Sequence, residues 1–345
     1  GRHALRAIIE RPDLELVGVH AAGPDKLGRD AAELCGLRSP TGITATDDID
    51  ALIALRPECV VYTALGETRP LPVIEQLRAF LTAGINVVGT SLVWLVTPRH
   101  ADDWIREPLE QACRQGNASL YVNGIDPGYS ADTAALAALT LVTRAESVTV
   151  REVFDYGNYD DYEYTGTAMG FGCMPDDELP PAFRPGVVAA VFGGLVRNLA
   201  DRLGVVLDEV RDRFEPWYTP RRIGCRMMTV EPGGMAAVRF AAEGIRAGRP
   251  VITVEHVTRL TAAAAPDWAY PPAGQSGVHT VVVEGEPRVE VSTVLAHPAL
   301  DVTEAGCQAT AARAVNAIDW VCRAPAGLIA ADEIPPAALV RGLMW

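Results

Sequence analysis

The sequence predicts an α/β protein in which a doubly wound parallel sheet is followed by a second, α+β domain. Three observations carry that prediction. Uninterrupted apolar runs, ECVVYTAL, INVVGTS and ASLYVNGI, alternate with helical stretches through residues 1–125, as strands do when helices cover both faces of a parallel sheet. Beyond Gly128 the strand-like segments lengthen and alternate polar with apolar residues, the mark of an antiparallel or mixed sheet. A chain of 345 residues, 49% hydrophobic and 21% charged, is long and apolar enough for two cores.

The elements follow in order. HALRAIIE carries Ala4, Leu5, Ile8 and Ile9 as a helical stripe, Arg11-Pro12-Asp13 ends it, and LELVGVHA follows as a buried-type strand. AAELCG and TDDIDALIAL read as short helices, the second opened by Asp47 or Asp48. After the strand ECVVYTAL come the helix VIEQLRAFLTAG, closed by Gly84, and the strand INVVGTS. The helix WIREPLEQACRQG, which must accommodate Pro108, leads to the strand ASLYVNGI and completes the first domain at 125. The α+β domain is expected over 126–304. It opens with the helix SADTAALAAL and the strand SVTVREVFDYGNYDDYEY, which runs into a loop, and has helices near 186–213. CRMMTVE, GMAAVRFAAEGI, PVITVEHVTRL and HTVVVEGEPRVEVSTVL are its later strands. TAARAVNAIDWVCRA is strongly apolar on one face, so a C-terminal helix within 305–345 is expected to return to the first domain and complete it.

The opening, GRHALRAIIERPDLELVGVH, is a helix running into a strand. In a dinucleotide-binding fold this pattern follows the turn G-x-G-x-x-G, whose third glycine lets helix and strand approach closely. Gly1 is expected to be that glycine, with a first strand ahead of it. About five buried apolar side chains in such a central strand, at roughly 1.5–3 kcal/mol each, rival the net stability of a domain. Thr63, Ala64 and Gly66 stand at the end of ECVVYTAL, and Gly89, Thr90 and Ser91 at the equivalent place on INVVGTS, where open α/β sheets bind ligands. The second strand ends at His20, with no carboxylate before Asp25, while Lys26 and Arg29 follow in a short loop suited to a 2′-phosphate. The expected cofactor is NADP, with NAD possible; the alternative is that Lys26 and Arg29 are ordinary surface charges.

The formal charge of -14 argues against nucleic acid or an anionic membrane as partner. No apolar run reaches the roughly 18 residues of a membrane span. Seven scattered cysteines without a C-x-x-C pair fit reduced thiols, and a cytoplasmic location is expected.

HAAGPDKLGRDA, VVYTALG, INVVGTS, YVNGIDPGYSADT and FDYGNYDDYEYTGTAMGFG together resemble the dihydrodipicolinate-reductase-like oxidoreductases. The nearest branch is that of mycobacterial-type proteins related to native amine dehydrogenases and 2,4-diaminopentanoate dehydrogenase. The resemblance covers nearly the whole chain. It implies a Rossmann-type cofactor domain, a C-terminal domain that closes over the nicotinamide and often forms a homodimer, and NAD(P)-linked reduction of a C=O or C=N group. It places Gly1 in the glycine fingerprint and Thr63 and Ala64 in the cofactor loop. Asn123, Gly124, Pro127 and Gly128 fall in the segment that approaches the nicotinamide. Two features of relatives are missing. There is neither the His-His-x-x-Lys motif nor the Ser-Gly-Thr-Ala segment of the lysine-pathway reductases. Leu92 and Val93 stand where amine dehydrogenases of the family carry a glutamate. A buried leucine can neither hold an ammonium ion nor accept a proton, so the expectation leans away from ammonia-dependent amination.

Hydride transfer leaves the protein to supply a donor beside the reduced group. FDYGNYDDYEYTG concentrates four of the nine tyrosines, and Tyr156 and Tyr164 are the candidate donors; packing on neighbouring strands is the alternative for each. Period two in PVITVEHVTRL puts Thr253, Glu255, Val257 and Arg259 on one face, read as exposed and ion-paired. His256 lies on the other, apolar face, either as an acid near neutral pH or as a satisfied core histidine. His100, His279 and His297 show no ligand spacing, so no metal is expected. Met169, Phe171 and Met174 in TAMGFGCMP are expected to form a flexible apolar wall, which favours a small, largely apolar substrate. A protein that binds NADP(H) as a sensor without turnover is the rival reading.

Overall fold

The computed structural model describes residues 1–333 and 340. The chain divides into two compact units, Gly1–Ile125 with Cys307–Trp345, and Asp126–Gly306.

The first unit opens with α1 (Arg2–Glu10), then β1 (Val19–His20), α2 (Ala31–Leu34), β2 (Ala45–Thr46) and α3 (Ile49–Ala54). Asp30 and Asp48 cap α2 and α3, each accepting a bond from a backbone N–H of the first turn. The strand expected over LELVGVHA shortens to Val19–His20, because its partner β2 runs alongside it, in parallel, for two residues only. Next come β3 (Cys59–Tyr62), α4 (Pro70–Thr82), β4 (Asn86–Gly89), α5 (Asp103–Gly116) and β5 (Ser119–Val122). α4 begins on Pro70, whose missing N–H is an orphan at a helix start anyway. It buries Val73, Ile74, Leu77, Phe80 and Leu81, a one-sided helical stripe. α5 absorbs Pro108 and buries Ile105, Leu109, Ala112 and Cys113. Its terminal Gly116 approaches α4 so closely that a Cβ there would lie 1.9 Å from the Leu81 carbonyl oxygen.

The second unit contains α6 (Ala135–Leu139), β6 (Arg144–Asp155), α7 (Val187–Leu203), β7 (Glu209–Tyr218) and a small hairpin of β8 (Ile223–Gly224) and β9 (Thr229–Val230). β10 (Met235–Arg246), β11 (Arg249–Arg259), β12 (Gly277–Glu286) and β13 (Val289–Thr293) follow. Six strands form one sheet in the order β13-β12-β6-β11-β10-β7. It is mixed: β6 and β11 run parallel and the other pairs antiparallel. The helices expected to reach 213 stop at Leu203, where Gly204 takes a positive φ of 63°. EVRDRFEPWY instead pairs with β10 as an edge strand, a tertiary pairing that local charge density hides. CRMMTVE forms only part of the small hairpin.

α8 (Val302–Arg323) begins in the second unit and continues in the first. There its Ala311 and Val315 pack on Ala4 of α1, while Ala314, Ala317 and Val321 pack on Val88, Tyr121 and Ile329. The helix expected within 305–345 ends at Arg323, and β14 (Gly327–Ile329) then pairs in parallel with β5. The main parallel sheet is thus β14-β5-β4-β3. The rest of the expected C-terminal segment, 334–339 and 341–345, lies outside the described residues. Among the described residues, no helix is long and apolar enough to cross a membrane.

Candidate active site

A polar rung with two histidines crosses the second unit's sheet. Registers pair Thr293 with His279, His279 with Glu152, Glu152 with His256, His256 with Phe240, and Phe240 with Phe214. Directly paired residues point to the same face, so a hydroxyl, two imidazoles with a carboxylate between them, and two phenyl rings line up across six strands. Phe192 of α7 covers the aromatic end, 4.5 Å from the His256 ring, and Phe240 stacks on that imidazole at 4.7 Å and 9°. His256, His279 and Glu152 are all buried.

Asp126 enters this rung from the segment between β5 and α6. Its neighbours Pro127 and Gly128 give the chain its turn there: Asp126–Pro127 is cis, and Gly128 sits at φ 146°, ψ −113°, open only to a residue without Cβ. His256 Nε2 donates to Asp126 Oδ1 at 3.3 Å. His279 Nδ1 stands 3.8 Å from Asp126 Oδ2 and 3.7 Å from Glu152 Oε2. Asp126 Oδ2, His256 Nδ1 and both ring nitrogens of His279 are buried without a hydrogen-bond partner.

The electrostatics follow from this packing. Burial opposes a charge on His256, but the Asp126 carboxylate outweighs it and raises the imidazole above its ordinary value. His279 is raised in the same way, again against burial and chiefly through Asp126. Burial pushes Asp126 up, yet His256 and then His279 hold it well below the usual carboxylate range. Glu152 goes the other way, raised by burial and then by the negative Asp126. The arrangement is an aspartate–imidazolium pair with a second carboxyl group inclined to keep its proton.

Asp126, Glu152 and His256 each bring a donor atom within 4.8 Å of the others. A tetrahedral zinc ion with ligands near 2.0–2.1 Å needs donors only about 3.3 Å apart, and the His256–Asp126 bond already uses two of these groups. The cluster is better suited to sharing protons than to enclosing an ion.

Tyr156 and Tyr164 lie close enough to this cluster to feel it. Tyr159 bridges them, with ring centroids 5.1 Å from Tyr156 and 6.3 Å from Tyr164. Surrounding protein and then the Glu152 carboxylate raise both phenols above the ordinary tyrosine value, Tyr164 despite being 45% exposed. Both therefore stay protonated as donors. Glu152 and Asp126 thus act electrostatically on all three candidates, Tyr156, Tyr164 and His256. The structure adds Asp126, Glu152 and His279, which the sequence reading missed. Glu152 had left a signal: it occupies the apolar phase of β6 with Val148, Val150 and Phe154.

Two other expectations change. The Thr253–Arg259 face is ion-paired but not exposed: Glu255 is buried between Arg151 and Arg213, and Arg259 donates to the carbonyls of Ala264 and Ala269. TAMGFGCMP is hydrogen-bonded to the start of β10. Gly172 N–H donates to the Met235 carbonyl and Met235 N–H to that of Cys173, both at 2.9 Å. Met169 and Phe171 are buried in it, while Met174 is exposed.

In the first unit, the cofactor candidates gather at strand ends. A Cβ on Gly1 would meet the Thr63 hydroxyl at 3.3 Å, so a larger residue would crowd the loop after β3. Ser91 donates to the Ala64 carbonyl, and Thr90 N–H to that of Tyr62. Asn123 is buried, its N–H donating to the Gly89 carbonyl and its Oδ1 accepting from Arg313. His20, Lys26 and Arg29 are exposed at and beyond the end of β1, with Arg29 paired to Glu33 at 2.8 Å. Pro127 and Gly128 belong to the second unit. These small and polar residues at the carboxyl ends of parallel strands fit a dinucleotide.

The sequence profile of the 2,4-diaminopentanoate dehydrogenase C-terminal domain matches residues 138–344. The chain is 39% identical over 337 residues to an amine dehydrogenase from Streptomyces virginiae, covering 97% of this chain and 93% of that one. It belongs to the family of amine and 2,4-diaminopentanoate dehydrogenases. The protein is accordingly an oxidoreductase. An amine dehydrogenase structure from Mycobacterium smegmatis shares the fold, with a TM-score of 0.72 at 19% identity over 96% of this chain and 92% of that chain. So does a probable dehydrogenase from Thermotoga maritima, at TM-score 0.58 and 10% identity over 96% and 88%. A 4-hydroxy-tetrahydrodipicolinate reductase from Mastigocladus laminosus is 31% identical over 99 residues, which cover 26% of this chain and 34% of that protein. Leu92 is fully buried, as the sequence reading assumed, in a left-handed conformation. A carboxylate nevertheless stands beside it: Glu67 accepts from Val93 N–H and from Gly66 N–H, each at 3.1 Å.

Proposed function

We propose that this protein is a nicotinamide-dependent dehydrogenase that reduces a C=N bond, formed from a carbonyl group and ammonia, on a small, largely apolar substrate. The observation that carries this reading is the buried Asp126–His256 pair with Glu152 beside it. The imidazolium and the protonated Glu152 carboxyl offer protons, which suit the basic nitrogen of an imine better than a neutral ketone oxygen. The end-to-end likeness to the Streptomyces virginiae amine dehydrogenase supports the same chemistry. When bound, the cofactor supplies the hydride. Gly1, Thr63, Ala64, Thr90 and Asn123 would hold it, and Lys26 and Arg29 favour NADP over NAD. Asp126 fixes the His256 ring through Nε2 and leaves Nδ1 to exchange the proton, while Tyr156 and Tyr164 add hydroxyl donors. A homodimer in the cytoplasm, with no nucleic-acid or membrane partner, completes the proposal; the net charge of -14 supports its last part.

The test is NADPH consumption across a panel of ketones and aldehydes, with and without ammonium. Ammonium-dependent turnover is expected. Turnover of carbonyls alone would make the protein a carbonyl reductase, and tight NADPH binding without any turnover would make it a sensor.

A further inference from the structure

His279 has no place in the reaction as described so far. It is 3% exposed, and both its ring nitrogens lack hydrogen-bond partners. Leaving such groups unsatisfied costs about 1–3 kcal/mol each, which makes an imidazole a poor choice for packing alone. Packing is part of its role, since its ring lies 5.1 Å from that of Phe154. The two nitrogens, however, are not equivalent. Nδ1 faces two carboxyl groups, 3.8 Å from Asp126 Oδ2 and 3.7 Å from Glu152 Oε2. Two buried carboxyl groups that close repel each other once both ionise, unless a donor stands between them. Nδ1–H is placed to be that donor.

We propose that His279 is a positioning residue of the reaction, its Nδ1–H holding Asp126 and Glu152 so that Asp126 keeps its other oxygen turned to His256. This rests on the reading above for what the reaction is, but the geometry it asserts is independent of turnover. Asp126 is the link. One of its oxygens serves His256 and the other faces His279, so freeing the second lets the carboxylate rotate and loosens the first. The charged and titratable groups that act on His256 are Asp126, Glu152 and Glu255, and those that act on His279 are Asp126, Glu152 and His256.

The experiment compares His279→Asn with His279→Gln. The asparagine amide nitrogen falls near the position of Nδ1, while that of glutamine reaches toward Nε2, so only the first restores the donor. In protein labelled with ¹⁵N-histidine, the His256 imidazole should titrate in His279→Asn as in the unsubstituted protein. In His279→Gln its titration should move to lower pH. The kcat should stay within about threefold in the asparagine variant and fall about tenfold or more in the glutamine variant, with the KM for NADPH unchanged in both. Identical His256 titrations in the two variants overturn the proposal. If the unsubstituted protein turns over nothing, the functional reading fails while the titrations still decide the positioning role. Should a His279 variant not fold, Glu152→Gln tests the link from the other side. It must shift the His279 titration to lower pH, and an unchanged titration overturns the proposal.

Discussion

Asp126→Asn removes the charge that keeps His256 protonated and keeps the shape of the side chain. Nε2 and Oδ1 are 3.3 Å apart, and opposite unit charges at that distance attract by about 5 kcal/mol with an effective dielectric constant near 20. Burial of both groups offsets part of this, and the remainder holds the His256 pKa above its ordinary value. With asparagine in place, burial dominates and His256 drops toward or below its ordinary value. With the imidazolium as the proposed acid in reduction, kcat/KM should decline as pH rises through the raised pKa of His256. In the variant that decline moves to lower pH, and above neutral pH kcat falls by up to the roughly 10²–10⁴-fold that a positioned acid contributes. For amine oxidation the sign reverses, because the neutral imidazole is then the working base and becomes available at lower pH. Stability follows the same pair. The share from His256 is present at low pH and lost as pH rises through its raised pKa, while that from Asp126 is present above its unfolded pKa and lost only in strong acid. The assay is NADPH absorbance across the neutral range. A basic limb that stays put or moves upward in the variant refutes the assignment of His256 as the acid.

Glu255→Gln leaves Arg151 and Arg213 without their shared partner. Since both arginines are about one-third exposed, the loss should be about 2 kcal/mol in urea unfolding, below the 3–5 of a fully buried pair. The Arg213 and Arg151 guanidiniums hold the Glu255 pKa down against burial, so the stability lost in the variant should be the part that the unsubstituted protein keeps down to acid pH. Gly116→Ala forces a Cβ against the Leu81 carbonyl oxygen and should lower stability by about 1–3 kcal/mol, read by thermal unfolding; an unchanged midpoint would mean α5 shifts freely. Lys26→Ala combined with Arg29→Ala should cut the preference for NADPH over NADH roughly tenfold, since each charge on a phosphate contributes about 1 kcal/mol or less at an exposed site. An unchanged ratio would return both residues to ordinary surface charge.

The parallel sheet was legible because strands covered on both faces leave continuous apolar runs, as ECVVYTAL and INVVGTS do. The apolar phase of PVITVEHVTRL correctly put His256 on a buried face. The rung around it was not legible. It depends on β6 lying between β11 and β12, and the registers of strands so far apart in the chain leave no mark in the local pattern. His279 was passed over for lack of ligand spacing, although spacing along one strand says nothing about neighbours across three. β7 was hidden by charged residues whose partners, Glu243 and Glu255, lie on other strands. Lys26 and Arg29 were legible only as charges; the Glu33 carboxylate that engages Arg29 follows from the turn of α2.

β14 has a consequence for how the protein is made. It adds to the sheet of the first unit after the whole of the second has been synthesised. On the ribosome, the usual order of N-terminal half before C-terminal half is inverted. The middle of the chain can acquire its native form at once, while the portion that begins first waits for Gly327–Ile329 to emerge. A translation arrest before that point would release a finished second unit joined to an unfinished first one.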